Sequence, residues 1–420
     1  MATSATPVSG RERIYTLDVI RGFALLGILI MNMPGFNTSF YAGTDGVEPW
    51  PQWYNQWTQT LTDVLFSGKF NSMFSMLFAI GFTIQLDRLE ARDPEHAKSI
   101  YLRRIFWLFV FGAIHMCVLW DGDVLHMYAT FGLFLLALRR APEKLLWTLF
   151  GMCLVLPVCL SVWRLLTFKP EDGVAIVAMA KSWVASNNAA YGHGSFVAAA
   201  VEHTREAIHT YTYPWSLRGI IIFTSQIFAT MLLGLILGRR HFFQDSGEHL
   251  PFIRRIQWIA LGTGLAAASV FAIWENTTTD YVTPSVFRVF AGLCYWIGRI
   301  LIMIFFVATI VRCVHNDRLR RTLQPMAMAG RMPLTNYLMQ TLIATTLFYG
   351  WGFGLWGRVG LAADLLLSFL IFFLVQVPLS LWWLKRFELG PMEWLWRKLT
   401  YGHATMRRAP APDSPAPSPG

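Results

Sequence analysis

Gly112-Ala113-Ile114-His115-Met116-Cys117-Val118-Leu119-Trp120-Asp121-Gly122-Asp123-Val124-Leu125-His126 is the stretch whose reading decides the fold. An apolar run from Ile105 to Trp120 leads into Asp-Gly-Asp, and a second, Val124 to Leu138, follows at once. Two membrane-length helices joined by three residues can only be antiparallel neighbours. The turn therefore holds two acids at a membrane surface. His115 sits inside the first helix, roughly 9 Å below Asp121 at a rise of about 1.5 Å per residue. A titratable residue inside a span is a functional candidate by default, because it is costly there without a partner. We expect the other helices to be arranged around this hairpin.

Similar apolar runs recur from residue 17 to residue 384 of the 420, and only 14% of residues are charged. A soluble chain carries about a quarter. The fold class is therefore all-α, a polytopic transmembrane bundle of about ten spans. The spans begin near Tyr15, Leu61, Ile105, Val124, Leu145, Leu217, Ile256, Val286, Leu334 and Leu361. Arg and Lys crowd the N-terminus, every even-numbered junction and the C-terminus, while acidic or mixed loops fill the others. By the positive-inside rule both termini are cytoplasmic and the Asp-Gly-Asp turn faces outward. The first apolar run carries Asp18 and Arg21 and no small-residue cleavage site follows it, so it is expected to remain as a span.

The organisation follows. Residues 1–13 form a cytoplasmic N-terminus and residues 14–389 the transmembrane domain, with a long outward loop at about 167–216. Val197–His209 within that loop reads as a surface helix. Residues 390–403 read as an amphipathic segment on the inner surface, and 404–420, rich in Ala, Pro and Ser, as a disordered tail.

The net charge of +10 marks topology, not a nucleic-acid partner, because no basic stripe is interleaved with stacking aromatics. The lipid bilayer is the expected partner. Cys117, Cys153, Cys159, Cys294 and Cys313 contain no CxxC pair and read as small apolar packing residues. Asp121, Asp123 and His126 have the chemistry for a divalent cation, but no further ligand stands near them in sequence, so no metal is expected.

Other polar residues lie where lipid would forbid them. Arg21 and Asn32 are eleven apart and share one face of span one, with Asp18 close by. An Asp18–Arg21 ion pair and a polar cavity wall are both consistent with this. Lys69 lies about 12 Å along span two if that helix begins near Leu61, or snorkels at the outer surface if it begins at Phe70. Arg288 and Arg299 share a face of span eight, and Arg299 is near mid-span. Asn336 and Gln340 face together at the start of span nine, just after Arg331, as cavity lining or as glue between helices.

Several of these stretches resemble one known family. Leu17-Asp18-Val19-Ile20-Arg21-Gly22-Phe23-Ala24-Leu25-Leu26-Gly27, Lys69-Phe70, the block from His115 to Asp123, Gly330-Arg331-Met332 with Leu334-Thr335-Asn336-Tyr337-Leu338, and Gly390-Pro391 with Glu393-Trp394-Leu395-Trp396-Arg397 look like the YeiB-like membrane family, a domain of unknown function. The opening is also similar to membrane acyltransferases, including the group that acetylates a glucosamine residue across a membrane. In the related acyltransferase-three group an Arg is followed eleven positions later by a His; here the pair is Arg21 and Asn32. Asparagine cannot act as a general base, so we assign that role to His115.

The leading expectation is an inner-membrane acyltransferase. Acyl-CoA from the cytoplasm is the co-substrate, and no permanently bound cofactor is expected. Asp18, Arg21, Arg299, Arg331, Asn336 and Gln340 are the candidate binding residues. His115 is the candidate base, oriented by Asp121 or Asp123, with Asn32 and Lys69 to stabilise an oxyanion. The acceptor, a small molecule, glycan or lipid, stays open. A transporter using His115 as a proton relay and a non-catalytic sensor or assembly factor are the other two readings.

Overall fold

The computed structural model describes residues 14–278, 280–402 and 406, and every regular element among them is helical. The first thirteen residues lie outside the described residues, and so does the expected tail apart from Met406, whose carbonyl accepts from the Glu388 N–H at 3.2 Å. The chain opens with α1 (Tyr15–Asn37), followed by α2 (Trp53–Leu65) and α3 (Lys69–Arg92). The hairpin is α4 (Ala97–Ile114), a π-helical turn (His115–Leu119) and α5 (Leu125–Leu138). Then come α6 (Glu143–Thr167), α7 (Pro170–Asn187), a second π-helical turn (Asn188–Gly192), α8 (Phe196–Thr212), α9 (Pro214–Arg239), α10 (Leu250–Thr277) and α11 (Val286–Val314). The chain closes with α12 (Asp317–Thr322), α13 (Gln324–Gly330), α14 (Pro333–Phe348), α15 (Leu361–Leu370), a third π-helical stretch (Ile371–Gln376), α16 (Val377–Arg386) and α17 (Pro391–Tyr401).

Eight segments are long and apolar enough to cross a membrane. The other two expected spans are the shorter α5, of 14 residues, and α14, of 16. Cross-links at both ends show that the helices alternate in direction. At one end Tyr15 donates to the Arg320 carbonyl, Arg139 pairs with Glu90, and Arg240 with Glu143. At the other, Asn37 bonds the Val359 carbonyl and Asn276 bonds Thr60. We call the first the basic end and the second the hairpin end.

The central element is α1, not the α4–α5 hairpin. α1 is the most enclosed of the spanning segments, and α4 is among the least. The expectation that the hairpin organises the bundle is thus corrected. The reason is steric. Small residues let the backbone of α13 approach α1 so closely that a Cβ on Gly330 would lie 1.9 Å from the Asp18 carbonyl oxygen, and one on Gly22 2.0 Å from that of Met326. Close backbone approach through small residues is how helices pack where lipid removes the hydrophobic drive.

Span two is also revised. α2 and α3 are separate helices, broken at Gly68, whose φ of +73° is a left-handed conformation that favours glycine. Lys69 is therefore the first residue of α3, yet it does not snorkel. It is buried, its Nζ donates to the Asp63 carbonyl, and it faces the Tyr295 ring.

The long outward loop is a helical cap. α8 turns Ala199, Glu202, His203, Glu206 and Ala207 inward and leaves Val197, Val201 and Ile208 exposed. Its buried stripe has helical spacing but is polar, the reverse of an ordinary amphipathic helix. At the basic end α17 packs against α4 and α14. Both backbone N–H groups that open α14, Leu334 and Thr335, are capped by Glu393 of α17.

Candidate functional site

His115 starts the π-helical turn that ends α4: the Trp120 N–H reaches back to the His115 carbonyl at 2.9 Å. Such widened turns recur at functional sites. The turn delivers the chain to Asp123 while leaving His115 only 1% exposed. His115 Nδ1–H donates to Asp123 Oδ2 at 2.8 Å, and His126 donates to Oδ1 from its Nδ1 at 2.8 Å and its backbone N–H at 3.0 Å. Burial pushes the Asp123 carboxyl up, but the hydrogen bonds from His115 and His126 outweigh it and hold the group below its ordinary value. An ionised Asp123 places the proton on Nδ1 of both rings. The His115 Nε2 lone pair is then directed at Thr341, whose hydroxyl donates to it at 2.8 Å. A carboxylate, an imidazole in a fixed tautomer and a hydroxyl on the far nitrogen form the arrangement of a general base.

An elongated cavity of about 320 Å³ approaches this group from the basic end. Its mouth is lined by Arg21, Arg88, Arg104, Arg331 and Arg397, with Asp18 and Glu393. Its walls are Leu, Ile and Phe, and its inner end is Val124, Leu125, Tyr128 and Tyr337. Arg88 and Phe74 both line it; fourteen residues apart on α3, they span roughly 21 Å. His115 stands directly behind the inner end, its ring centroid 5.2 Å from that of Tyr337.

The expected site residues thus separate into groups. Asp18, Arg21 and Arg331 line the mouth, and Arg21 Nη1 donates to Asp18 at 2.8 Å. Of the two acids expected to orient His115, Asp123 does so, while Asp121 turns to α8. Asn32 is half-buried on the hairpin-end half of α1, and neither it nor Lys69 lines this cavity. Arg299 is fully enclosed, its Nε donating to Ser72 and its Nη1 to Gln226, away from Arg288 at the helix start. Asn336 and Gln340 join helices: Asn336 donates to Ser380 and the Ala329 carbonyl, Gln340 to Gln376 and the Leu25 carbonyl.

Sequence reasoning missed Tyr337, Thr341, His203 and Glu206. The last pair had a signal, His and Glu at i,i+3 on α8, obscured by reading that helix as a surface element. In the structure His203 Nδ1 lies 3.1 Å from Asp121 Oδ1 and 2.9 Å from the Tyr191 hydroxyl, which donates to Glu206 at 2.7 Å. Burial raises the Asp121 carboxyl to about 7. Burial and then the Asp121 charge raise Glu206 to about 8, and burial lowers His203 to about 4.

Comparison with known proteins gives the family of this chain. YxaH of Bacillus subtilis (strain 168), an uncharacterized protein, is 30% identical over 413 residues, 95% of this chain and 97% of its own length. The chain belongs to the YeiB-like family. YeiB of Escherichia coli (strain K12), also uncharacterized, is 28% identical over 416 residues, covering 93% of this chain and 96% of YeiB. An uncharacterized 39.9 kDa protein of Bacillus acidopullulyticus is 28% identical over 397 residues, 94% of this chain and 96% of its own. Residues 237–403 match the family model described as a protein of unknown function, DUF418. That part holds α14, with Tyr337 and Thr341, whereas His115 and Asp123 lie outside it. No solved structure matches.

Proposed function

We propose that this YeiB-like protein is a membrane acyltransferase that moves an acyl group from a coenzyme A thioester entering at the basic end to an acceptor hydroxyl or amine at the hairpin end. The observation that carries the reading is the cavity itself. It runs from a rim of five arginines through apolar walls to Tyr337, behind which the ordered Asp123–His115 pair stands. A ligand with an anionic phosphate head and a thin, largely apolar arm fits that distribution of charge. On this reading, and by the positive-inside rule, the basic end faces the cytoplasm, and an inner-membrane location is part of the proposal.

The acceptor displaces Thr341 from His115 Nε2. Its oxygen or nitrogen attacks the thioester carbonyl while Nε2 takes its proton, and Asp123 stabilises the imidazolium that forms. The Tyr337 hydroxyl, at the inner end of the cavity, donates to the developing oxyanion. The C–S bond breaks, and the departing thiolate recovers the proton from His115. Asn32 and Lys69, first assigned to the oxyanion, have no part in this scheme: neither lines the cavity, and Lys69 is engaged with the Asp63 carbonyl and the Tyr295 ring.

The test uses purified protein in nanodiscs with a panel of radiolabelled acyl-CoAs, following binding and slow thioester hydrolysis. Hydrolysis is expected to disappear in His115→Ala while binding survives, and binding to weaken in Arg21→Ala. No binding to any member of the panel would sink the reading. A small-molecule exporter using the same one-ended cavity is then the alternative, read by substrate movement in proteoliposomes without chemical change.

A further inference from the structure

We infer that Asp121, His203 and Glu206 form a binding site for one divalent first-row cation, of the Zn²⁺ or Mn²⁺ type, clasping α8 to the hairpin turn. The inference is independent of the acyltransferase reading. One nitrogen and two carboxylate oxygens, one from each residue, all lie within 4.8 Å of one another. Ligands about 2.0–2.2 Å from a common ion stand no more than about 4.4 Å apart, so small side-chain adjustments close the shell. The 3.1 Å between His203 Nδ1 and Asp121 Oδ1 is already the edge of such a polyhedron.

Neighbouring groups hold these ligands as a metal requires. His203 turns Nδ1 to the acids and Nε2 to the Tyr349 hydroxyl at 3.3 Å, so the second nitrogen has an orienting partner. Asn187 donates to Glu206 Oε1 at 3.0 Å and Tyr191 to Oε2 at 2.7 Å.

A separate observation points to a missing cation. Glu202, on the same face of α8, is buried, acts electrostatically on both Asp121 and His203, and its Oε1 has no hydrogen-bond partner among the described residues. Its other oxygen accepts from the half-exposed Arg205, which is bonded to Glu202 and not to Asp121 or Glu206. Two carboxylates thus flank one imidazole, with the buried Glu202 carboxylate acting on them from the same helix face. Buried charge of one sign is paired or coordinates a metal. The imidazole selects a first-row ion over Mg²⁺ or Ca²⁺, which prefer oxygen alone.

The experiment takes the full-length protein in detergent, tag removed, stripped with chelator, desalted, and titrated with ZnCl₂, MnCl₂ and MgCl₂ at pH 7. Bound metal is counted by mass spectrometry. One Zn²⁺ or Mn²⁺ per chain is expected, raising the unfolding temperature, with Mg²⁺ at least ~10-fold weaker. The isosteric Asp121→Asn and Glu206→Gln each weaken binding by ~100-fold or more. His209→Ala, which faces Tyr41 and Ser216, leaves it unchanged. No ion on the wild-type protein, or undiminished binding in either isosteric variant, overturns the assignment. X-ray absorption at the zinc edge of the wild-type protein decides without any variant: a shell of one imidazole and oxygens supports it, and a thiolate or a shell of several histidines overturns it.

Discussion

Asp123 binds two histidines at once: one carboxylate oxygen accepts from His115 and the other from His126, each at 2.8 Å. This bridge ties the end of the α4 segment to the start of α5 and sets the proton on Nδ1 of both rings. Asp123→Asn keeps the shape but replaces an ionised acceptor with an amide. His115 then loses its fixed tautomer. Thioester hydrolysis is expected to fall by ~10² or more, with acyl-CoA affinity within about twofold of wild type. Single-turnover kinetics beside equilibrium binding separates the two; equal losses in both would assign Asp123 to folding.

Arg21 and Asp18 predict effects of opposite sign. Arg21 faces the cavity mouth and is paired with Asp18. Removing the cation weakens binding of a phosphate-bearing ligand, by about tenfold. Asp18→Asn removes a competing negative charge and tightens it. Both effects shrink as salt is raised. Isothermal titration at two salt concentrations checks this, and a loss of affinity in Asp18→Asn contradicts it.

Tyr337→Phe removes a hydroxyl at the inner end of the cavity, one that also lies beside Asp123. Thioester hydrolysis is expected to drop by ~10²-fold or more, as when one oxyanion donor is lost. Binding of a non-hydrolysable acyl-CoA analogue should be unchanged. A weaker analogue with normal hydrolysis would make Tyr337 part of the binding wall only.

Arg299 is assigned to stability and not to the ligand. Its Nε and Nη1 are bonded to Ser72 and Gln226, and its Nη2 has no hydrogen-bond partner among the described residues. Arg299→Ala leaves a void and strands two polar groups, for a cost on the order of 3 kcal/mol. Arg299→Met fills the space and discards the unsatisfied donor, so it should cost less. Thermal unfolding in detergent ranks the two, and acyl-CoA affinity stays unchanged in Arg299→Met.

The metal-free protein should lose stability as pH rises. Asp121 and Glu206 titrate near 7 and 8 when folded, against about 4 when unfolded. Between those values the folded state holds protons that the unfolded state has released. Stability therefore falls as pH climbs above about 6.5 and levels off above pH 8; below about pH 6.5 the buried His203, near 4 when folded against about 6.5 when unfolded, opposes the loss. Zn²⁺ should reverse the loss, with a larger effect at pH 8 than at pH 5. Melting curves of stripped and loaded protein across that range test it; a flat stripped curve contradicts it.

Much of this was legible in the chain itself. Apolar runs of membrane length, ended by Pro, Gly and charge, located the eight membrane-length segments and the shorter α5 and α14, but neither α7 within the outward loop nor the break between α2 and α3. Alternating basic clusters gave the alternation of direction. His115 beside Asp-Gly-Asp was visible because a polar residue inside an apolar run has a cost that local sequence reveals. Lys69 shows where local reading ends: its helix begins one residue before the later of the two boundaries foreseen, but it is buried against Tyr295, more than two hundred residues away.

Sequence by itself determined the class of this protein, its apolar helices and the members of its polar site that lie close together in the chain, His115, Asp121, Asp123 and His126, because hydropathy and helical period are properties of short windows. Tertiary structure alone decided that α1 is the centre, that Asp123 and not Asp121 serves His115, and that His203 and Glu206 meet Asp121. Those outcomes depend on close approach between segments far apart in the chain, such as Gly330 against Asp18 and α8 against the hairpin turn. No local pattern encodes which of several buried polar residues will face one another; backbone packing and mutual charge compensation select the partners.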